Sequence, residues 1–438
     1  MSVRFTFYSR AVRSLSRIAL SRLASQQRVN EGDRDFRLLL DLKNRELAER
    51  AWFHAASVGE LESLWPVITA WAAGEGSSSN ASGSKRRELV VSILSESARG
   101  HILRLREALK ASPAELLYAG YCPAEGHWGR ALDCVRPGIF ITAKYEAWPD
   151  LWGHLARAEI PLVIVGAKAR RSLRLVKLAC RALGSALPKL TLITALTSDS
   201  SALKELFPTA DVKLCGEPRW DRVYQRSQAG SDRARRLIAV FENGRRPWGV
   251  LGSVWSEDME VFRGCLSVPK GTLWVVPHRN DPASIAEMET FLREEGLDPL
   301  KTSELQSASE NRSCILVDEM GFLSELYSAA DWAFVGGGFG DGIHSTIEPA
   351  IHGIPIAGGP NGAEKFAEIA ELRESGQLRI VRNHAELKSW VESRSGVLDS
   401  DQKRDRDRWK SEAETRRGAS LRVAEVIGLI LDAVSGPC

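Results

Sequence analysis

Short apolar blocks recur along this chain, separated by longer stretches in which apolar and polar residues alternate with helical spacing. A block that is apolar nearly throughout suits a strand covered on both faces, the usual situation in parallel sheets. In the first half these blocks fall at residues 52–55, 89–94, 116–119, 139–142, 162–165, 192–195 and 212–215. In the second half they fall at 248–251, 273–276, 314–317, 332–335 and 354–357. The pattern predicts an α/β protein built from two doubly wound, Rossmann-like domains. Such sheets take ligands at the carboxyl ends of their strands, so two of them facing each other predict an active site in a central cleft. A charged, mostly helical connection over 221–244 separates the two series, which sets the expected domains at 31–230 and 231–410. A basic amphipathic arm, residues 1–30, precedes them, and a helix, 411–438, follows.

Length and composition agree with two domains. A chain of 438 residues exceeds what one core holds, at roughly 150 residues per domain. With 44% hydrophobic and 26% charged residues it is globular, and a net charge of +3 gives no reason to expect a nucleic-acid partner. Its seven cysteines are scattered singly, which suggests neither a zinc site nor a disulfide framework and fits a reducing cytoplasm; no metal and no cofactor are expected. The run GEGSSSNASGSKRR at 74–87 is a predicted flexible surface loop. Residues 1–30 lack acids, while Arg4, Arg10, Arg13, Arg17, Arg22 and Arg28 alternate with apolar side chains. No run there reaches the roughly 20 apolar residues that span a bilayer. The pattern suits a helix lying in an anionic membrane interface, or one packing on its own domain with solvated arginines; a mitochondrial presequence has a similar composition.

Candidate chemistry sits where predicted strands end. At 331–360 the chain reads DWAFVGGGFGDGIHSTIEPAIHGIPIAGGP, a strand, a glycine-rich turn and a short helix opening at Glu348-Pro349. Glycines permit close backbone approach, and free N–H groups at a helix start attract anions. Glu348 can accept hydrogen bonds from vicinal hydroxyls such as those of a ribose. The segment reads as a sugar-nucleotide cradle, with an ordinary βα turn as the structural alternative. Ser57-Val58-Gly59-Glu60 follows another predicted strand, and Glu60 there either abstracts a proton from an attacking hydroxyl or caps the helix. Tyr145-Glu146-Ala147-Trp148-Pro149-Asp150 predicts a rigid helix entry in which Glu146 positions substrate or backbone. Gly252-Ser253, Pro277-His278-Arg279 and Met320-Gly321 stand at further strand ends, and a guanidinium there suits phosphate or carboxylate.

Together these segments resemble the Kdo transferases of lipopolysaccharide synthesis. SVGE, E-x-W-P, the G-S turn, P-H-R, the D-x-M-G run from Asp318 to Asp331, and H-x-x-x-E-P-A followed by G-x-P occur in that family's order over residues 35–375. The resemblance implies a GT-B glycosyltransferase that moves 3-deoxy-D-manno-octulosonic acid (Kdo) from CMP-Kdo to a lipid A precursor. It implies an inverting, metal-independent reaction, at the cytoplasmic face of the bacterial inner membrane, by a peripheral or monotopic protein on an anionic membrane surface. Glu60 is then the general base, and Ser57, Gly59 and Glu146 lie on the acceptor side. Gly252, Ser253, His278, Arg279, Met320, Gly321, His344, Ser345 and Glu348 surround the nucleotide sugar. The chain departs from the family pattern in several places. Lys144 replaces the first acid of E-T-E-L-W-P, Gly166-Ala167-Lys168 replaces N-x-R, and Trp255-Ser256-Glu257-Asp258 replaces H-E-G-E. P-R-H is inverted to Pro277-His278-Arg279, and H-N becomes His344-Ser345. These departures bear on donor geometry and on the acceptor. A GT-B transferase for another nucleotide sugar and cell-envelope acceptor, or a catalytically silent nucleotide- or lipid-binding protein, are the alternatives.

Overall fold

The computed structural model describes residues 4–6, 8–12, 26–44, 49–75, 86–144, 146–229, 232–241, 245–266, 271–305, 312–394, 396 and 399–435. Two compact units divide the chain. The first comprises Met1–Arg222 and Gly418–Cys438, the second Val223–Arg417.

The first unit carries a seven-stranded sheet: β1 (Glu49–Ala55), β2 (Arg87–Ile93), β3 (Glu115–Tyr121), β4 (Ile139–Ala143), β5 (Leu162–Val165), β6 (Leu190–Thr194) and β7 (Asp211–Leu214). They run in the order β3-β2-β1-β4-β5-β6-β7, and every ladder is parallel. Successive residues of a strand point to opposite faces, and both faces here are buried. Phe53, Leu89, Val91 and Ile141 join one apolar cluster; Trp52, Val90, Phe140 and Ile164 join the other. That double burial is why the strands read as continuous apolar blocks. The C-terminal helix Ala419–Ser435 returns to this unit, burying Val423, Ala424, Ile427 and Leu431 with Leu64 and Ile68 of helix Val58–Ala72.

Both ends of the basic arm pack on the first unit. Phe5 is fully buried, its ring edge-on to His154 at 5.4 Å. Arg28 lies over the Tyr121 ring at 3.6 Å and donates from Nε to the Leu94 carbonyl at 3.3 Å. Residues 13–25 of the arm, with Arg13, Arg17 and Arg22, lie outside the described residues, as do residues 76–85 of the expected loop.

The second unit repeats the theme with β8 (Trp248–Val254), β9 (Thr272–Pro277), β10 (Leu300–Lys301), β11 (Cys314–Leu316), β12 (Trp332–Val335), β13 (Ile356–Gly358) and β14 (Leu378–Ile380). The parallel order is β10-β11-β9-β8-β12-β13-β14. Two of these strands, β10 and β14, were not expected from the apolar pattern. β10 has two half-buried residues at a sheet edge, and β14 exposes Arg379 between Leu378 and Ile380, so neither forms an apolar block. β13 starts later than the block at 354–357 because Pro355 has no N–H to give to a ladder; its carbonyl instead accepts from Ala333 N.

In mid-sheet the chain leaves two adjacent strands in opposite directions, from β1 and β4 in the first unit and from β8 and β12 in the second. Chains leaving adjacent strands there turn to opposite faces and open a crevice.

Candidate active site

The first crevice holds four of the expected residues. Ser57 caps helix Val58–Ala72: its hydroxyl accepts from Glu60 N at 3.4 Å, while Glu60 Oε2 accepts from Ala56 N at 2.7 Å and Ser57 N at 3.1 Å. This is a capping box, so Glu60 fulfils the structural alternative in full. The same bonds occupy Oε2 alone; Oε1 accepts no hydrogen bond among the described residues. Burial, together with the charge of Glu146, raises the Glu60 carboxyl to about 7 despite those two amides. Ser57 and Gly59 are exposed, and nothing lies within 4 Å of where a Gly59 side chain would begin, which leaves room beside Glu60 for a second molecule.

Glu146 follows β4 and is held ionised. Burial acts to raise its carboxyl, but His54 and the Trp148 indole N–H outweigh that and lower it. His54 Nε2 stands 3.6 Å from Glu146 Oε2, and its Nδ1 lies 3.0 Å from Ser92 Oγ, which accepts from Trp52 Nε1 at 2.9 Å. An indole N–H only donates. Every group is therefore satisfied when Trp52 donates to Ser92, Ser92 to His54 Nδ1, and His54 Nε2–H to Glu146. Two carboxylates at one switch point are thus driven in opposite directions, one toward a proton and one away from it.

A cation completes this end of the sheet. Lys144, with φ of +55°, directly follows β4, and its Nζ lies 3.8 Å from Glu217 Oε2. Glu217 also accepts from Ser63 Oγ at 3.3 Å and Arg219 N at 3.4 Å. Its burial raises the carboxyl, and Lys144 and Arg219 more than offset this. Neither His54 nor Glu217 was singled out by the sequence. His54 lies on a strand that reads as core, and Glu217 lies far along the chain from its partner.

The second crevice opens into a cavity of about 570 Å³ that Ser253, His278, Met320, Gly321, His344, Ser345 and Glu348 all line. Ser253 is the extra residue of a β-bulge, where the β8–β9 register shifts between Gly252 and Val254, and its φ is +55°. Bulges re-aim side chains, and this one turns Ser253 into the cavity. Gly252 lies beneath, where any side chain would strike the buried Tyr327 hydroxyl. Apolar Val276, Pro277, Val317 and the largely exposed Met320 line the same cavity. Glu348 Oε1 lies 3.6 Å from Arg226 Nη1, a cavity-lining cation that sequence reading did not select.

Arg279 is not on this cavity. It lines a neighbouring one of about 270 Å³ with Trp255, Glu257, Ser284 and Glu287, and His278 borders both. The glycine-rich turn also differs from the expected cradle. Five of its amides are already donated: Gly336 to Gly252 O, Gly337 to Asp258 Oδ2, Gly340 and Gly342 to Gly337 O, and His344 to Gly336 O. The glycines are needed for packing instead. Gly337 has φ of +85°, and a side chain there would begin 2.9 Å from His344 Cδ2. The helix beyond is one turn, Ile347–Ala350.

Three rings stack across this crevice. Trp255 lies 4.1 Å from His278 at 17°, and His278 lies 4.6 Å from His344 at 21°. Trp255 Nε1 donates to His344 Nε2 at 2.6 Å. Burial lowers His344 to about 4, helped by His278, and burial and Arg279 lower His278. Asp258 Oδ2 binds both Trp255 N at 2.9 Å and Gly337 N at 2.7 Å, tying the stack to the glycine turn.

Comparison with known proteins bears on what these crevices serve. Residues 9–222 match the family described as 3-deoxy-D-manno-octulosonic-acid transferase. The 3-deoxy-D-manno-octulosonic acid transferase of Haemophilus influenzae is 25% identical over 68% of this chain and 71% of its own length. That of Aquifex aeolicus is 24% identical over 77% of this chain and 83% of its own. The chain is a relative of the Kdo transferases. Among solved structures, it is similar to UDP-N-acetylglucosamine 2-epimerase from Rickettsia bellii, with a TM-score of 0.52 and 13% identity over 89% of this chain and 98% of that one. It is also similar to a glycosyltransferase of kitacinnamycin, with a TM-score of 0.50 and 12% identity over 87% and 98%. At that identity the likeness concerns the fold, two parallel-sheet α/β units of the GT-B type. Against the Kdo transferase pattern, the two largest departures now have local contexts. Lys144 faces Glu217, and Trp255 stacks on His278 and bonds His344.

Proposed function

We propose that this protein is an inverting glycosyltransferase that moves Kdo from CMP-Kdo to a lipid A precursor, with Glu60 as general base. The observation that carries this reading is the pairing of Glu60, raised to about 7 and open at Oε1, with Glu146, held ionised by His54 and Trp148. A base whose pKa lies near the working pH is both deprotonated often enough and basic enough to act. In the reaction, an acceptor hydroxyl oxygen bonds to the anomeric carbon of Kdo as its proton passes to Glu60. The bond from that carbon to the CMP phosphate oxygen breaks, and the electron pair leaves with CMP. The cavity of the second unit suits CMP: Met320, Val276 and Pro277 offer an apolar surface to a base, Glu348 can accept from ribose hydroxyls, and Ser253, His344 and Ser345 can donate to phosphate.

An anionic membrane surface as the acceptor's setting is supported by helix Arg171–Ala182. It buries Leu173, Val176 and Cys180 and exposes Leu175 and Leu178, at 51% and 60%, beside Arg171, Arg174 and Arg181. Exposed leucines among arginines suit the cytoplasmic leaflet of a bacterial inner membrane. Among the described residues no helix is long and apolar enough to cross a membrane, so the association proposed is peripheral.

The test is incubation with CMP-Kdo and a lipid A precursor, reading the product mass. E60Q should abolish transfer yet keep CMP binding; full activity in E60Q would overturn the base assignment. Thermal protection by UMP equal to that by CMP would favour another nucleotide sugar. L175D/L178D should release the protein from anionic vesicles.

A further inference from the structure

We propose that Trp255 is a positioning residue that sets the tautomer of His344, so that His344 presents a neutral Nδ1–H donor to the anionic group of a bound nucleotide; the ligand in this statement rests on the reading given above. An indole N–H can only donate, and at 2.6 Å from Nε2 it makes that nitrogen the acceptor. A neutral imidazole carries one proton, which then resides on Nδ1. The ring's edges are distinguishable. A side chain at Gly337 would begin 2.9 Å from Cδ2 and 3.2 Å from Nε2, so the Cδ2–Nε2 edge faces the glycine turn and Trp255. The opposite edge, which carries Nδ1, is the one left to line the cavity beside Ser345 and Glu348.

The stack reinforces this arrangement. His278 lies 4.1 Å from Trp255 and 4.6 Å from His344, so rotation of the His344 ring is blocked by two neighbours rather than one. Charging both stacked imidazoles would set like charges together, and burial already holds each below its ordinary value. His344 thereby acts as a fixed dipole, whose donor strength persists across the neutral range without a titrating charge. Asp258 anchors the same geometry from below by binding the amides of Trp255 and Gly337. Ser253 and Ser345 line the same cavity, whereas the amides of Gly336, Gly337, Gly340, Gly342 and His344 are donated within the protein and Arg279 lines the neighbouring cavity.

The experiment uses the full chain with nitrogen-15 histidine, in the wild type and in W255F, which keeps a stacking ring and loses the N–H. Ligand-free spectra at neutral pH should show His344 as the Nδ1–H tautomer in the wild type and as the Nε2–H form, or a mixture, in W255F. An unchanged tautomer in W255F overturns the proposal whatever the cavity binds. Titration with CMP decides what the tautomer serves. A loss of about tenfold in affinity in W255F, the scale of one hydrogen bond to a charged group, supports the donor role, and equal affinity refutes it. A wild type that binds no CMP refutes the nucleotide reading itself. Should W255F unfold, H344N answers the same question. Its amide stands near the Nδ1 position and needs no partner to orient a tautomer, so it should retain CMP binding better than H344Q. The reverse order overturns the donor role.

Discussion

Lys144 Nζ stands 3.8 Å from Glu217 Oε2, and both side chains are buried. The lysine occupies a position where the Kdo transferase pattern carries an acid, and Glu217 supplies the negative charge from a different strand end. Lys144 and Glu217 thus offset each other's charge within this chain, so the lysine at this position has an anionic partner.

Restoring the acid alone should therefore harm the protein. K144E would set a carboxylate against Glu217 in a poorly hydrated site, and breaking such a pair costs on the order of 3–5 kcal/mol. Urea unfolding of K144E should show a lower midpoint, and adding E217K should recover part of the loss. A K144E variant as stable as the parent would mean that water screens the pair.

Activity should rise with pH through about 7 as Glu60 loses its proton. After burial, the charge of Glu146 is the largest cause holding that value up. E146Q removes the charge and should move the rising limb of kcat/KM to lower pH by about one unit. A limb that stays in place in E146Q would remove Glu60 from the rate-determining proton transfer.

The same raised carboxyl predicts a stability signature. The folded state holds the Glu60 proton more tightly than the unfolded chain, so its burial costs nothing below the ordinary value near 4.5. The cost grows as pH rises toward about 7 and is complete above that. E60Q should match the wild type in unfolding free energy at low pH and exceed it above neutrality, by on the order of 3 kcal/mol. A gain that is constant with pH would place the cause in packing instead.

Much of this was legible in the sequence, for identifiable reasons. Strands buried on both faces announce themselves as apolar blocks, and residues that follow them must fall at the carboxyl edge of a sheet. Hence Glu60, Glu146, Ser253, His344 and Glu348 could be placed before any coordinates. Contacts that depend on the third dimension could not. Nothing near Lys144 points to Glu217, and nothing near the glycine run reveals that Gly252, Gly337 and Asp258 already accept its amides. Trp255 registered only as a departure from a motif, because stacking on His278 requires two strand ends to be neighbours.

Gly337 offers a further check on the second unit. G337A must place a side chain at φ of +85°, with its first carbon 2.5 Å from Gly342 O and 2.9 Å from His344 Cδ2. It should lose about 1–3 kcal/mol of stability and also shrink the rise in melting temperature that CMP produces. Loss of stability with full protection by CMP would separate the turn from the ligand.

The first unit is drawn from two stretches of the chain that flank the second, since its core is completed by helix Ala419–Ser435. On the ribosome, therefore, the second unit has its whole sequence available before the first can seal Leu64 and Ile68 under Val423 and Ile427. The order of maturation is inverted relative to the order of synthesis: the domain made first finishes last. The core beneath the nascent Glu60 helix stays incomplete until residues 419–435 have been made. A premature stop anywhere before residue 419 would cost the protein its earliest-made domain rather than its latest.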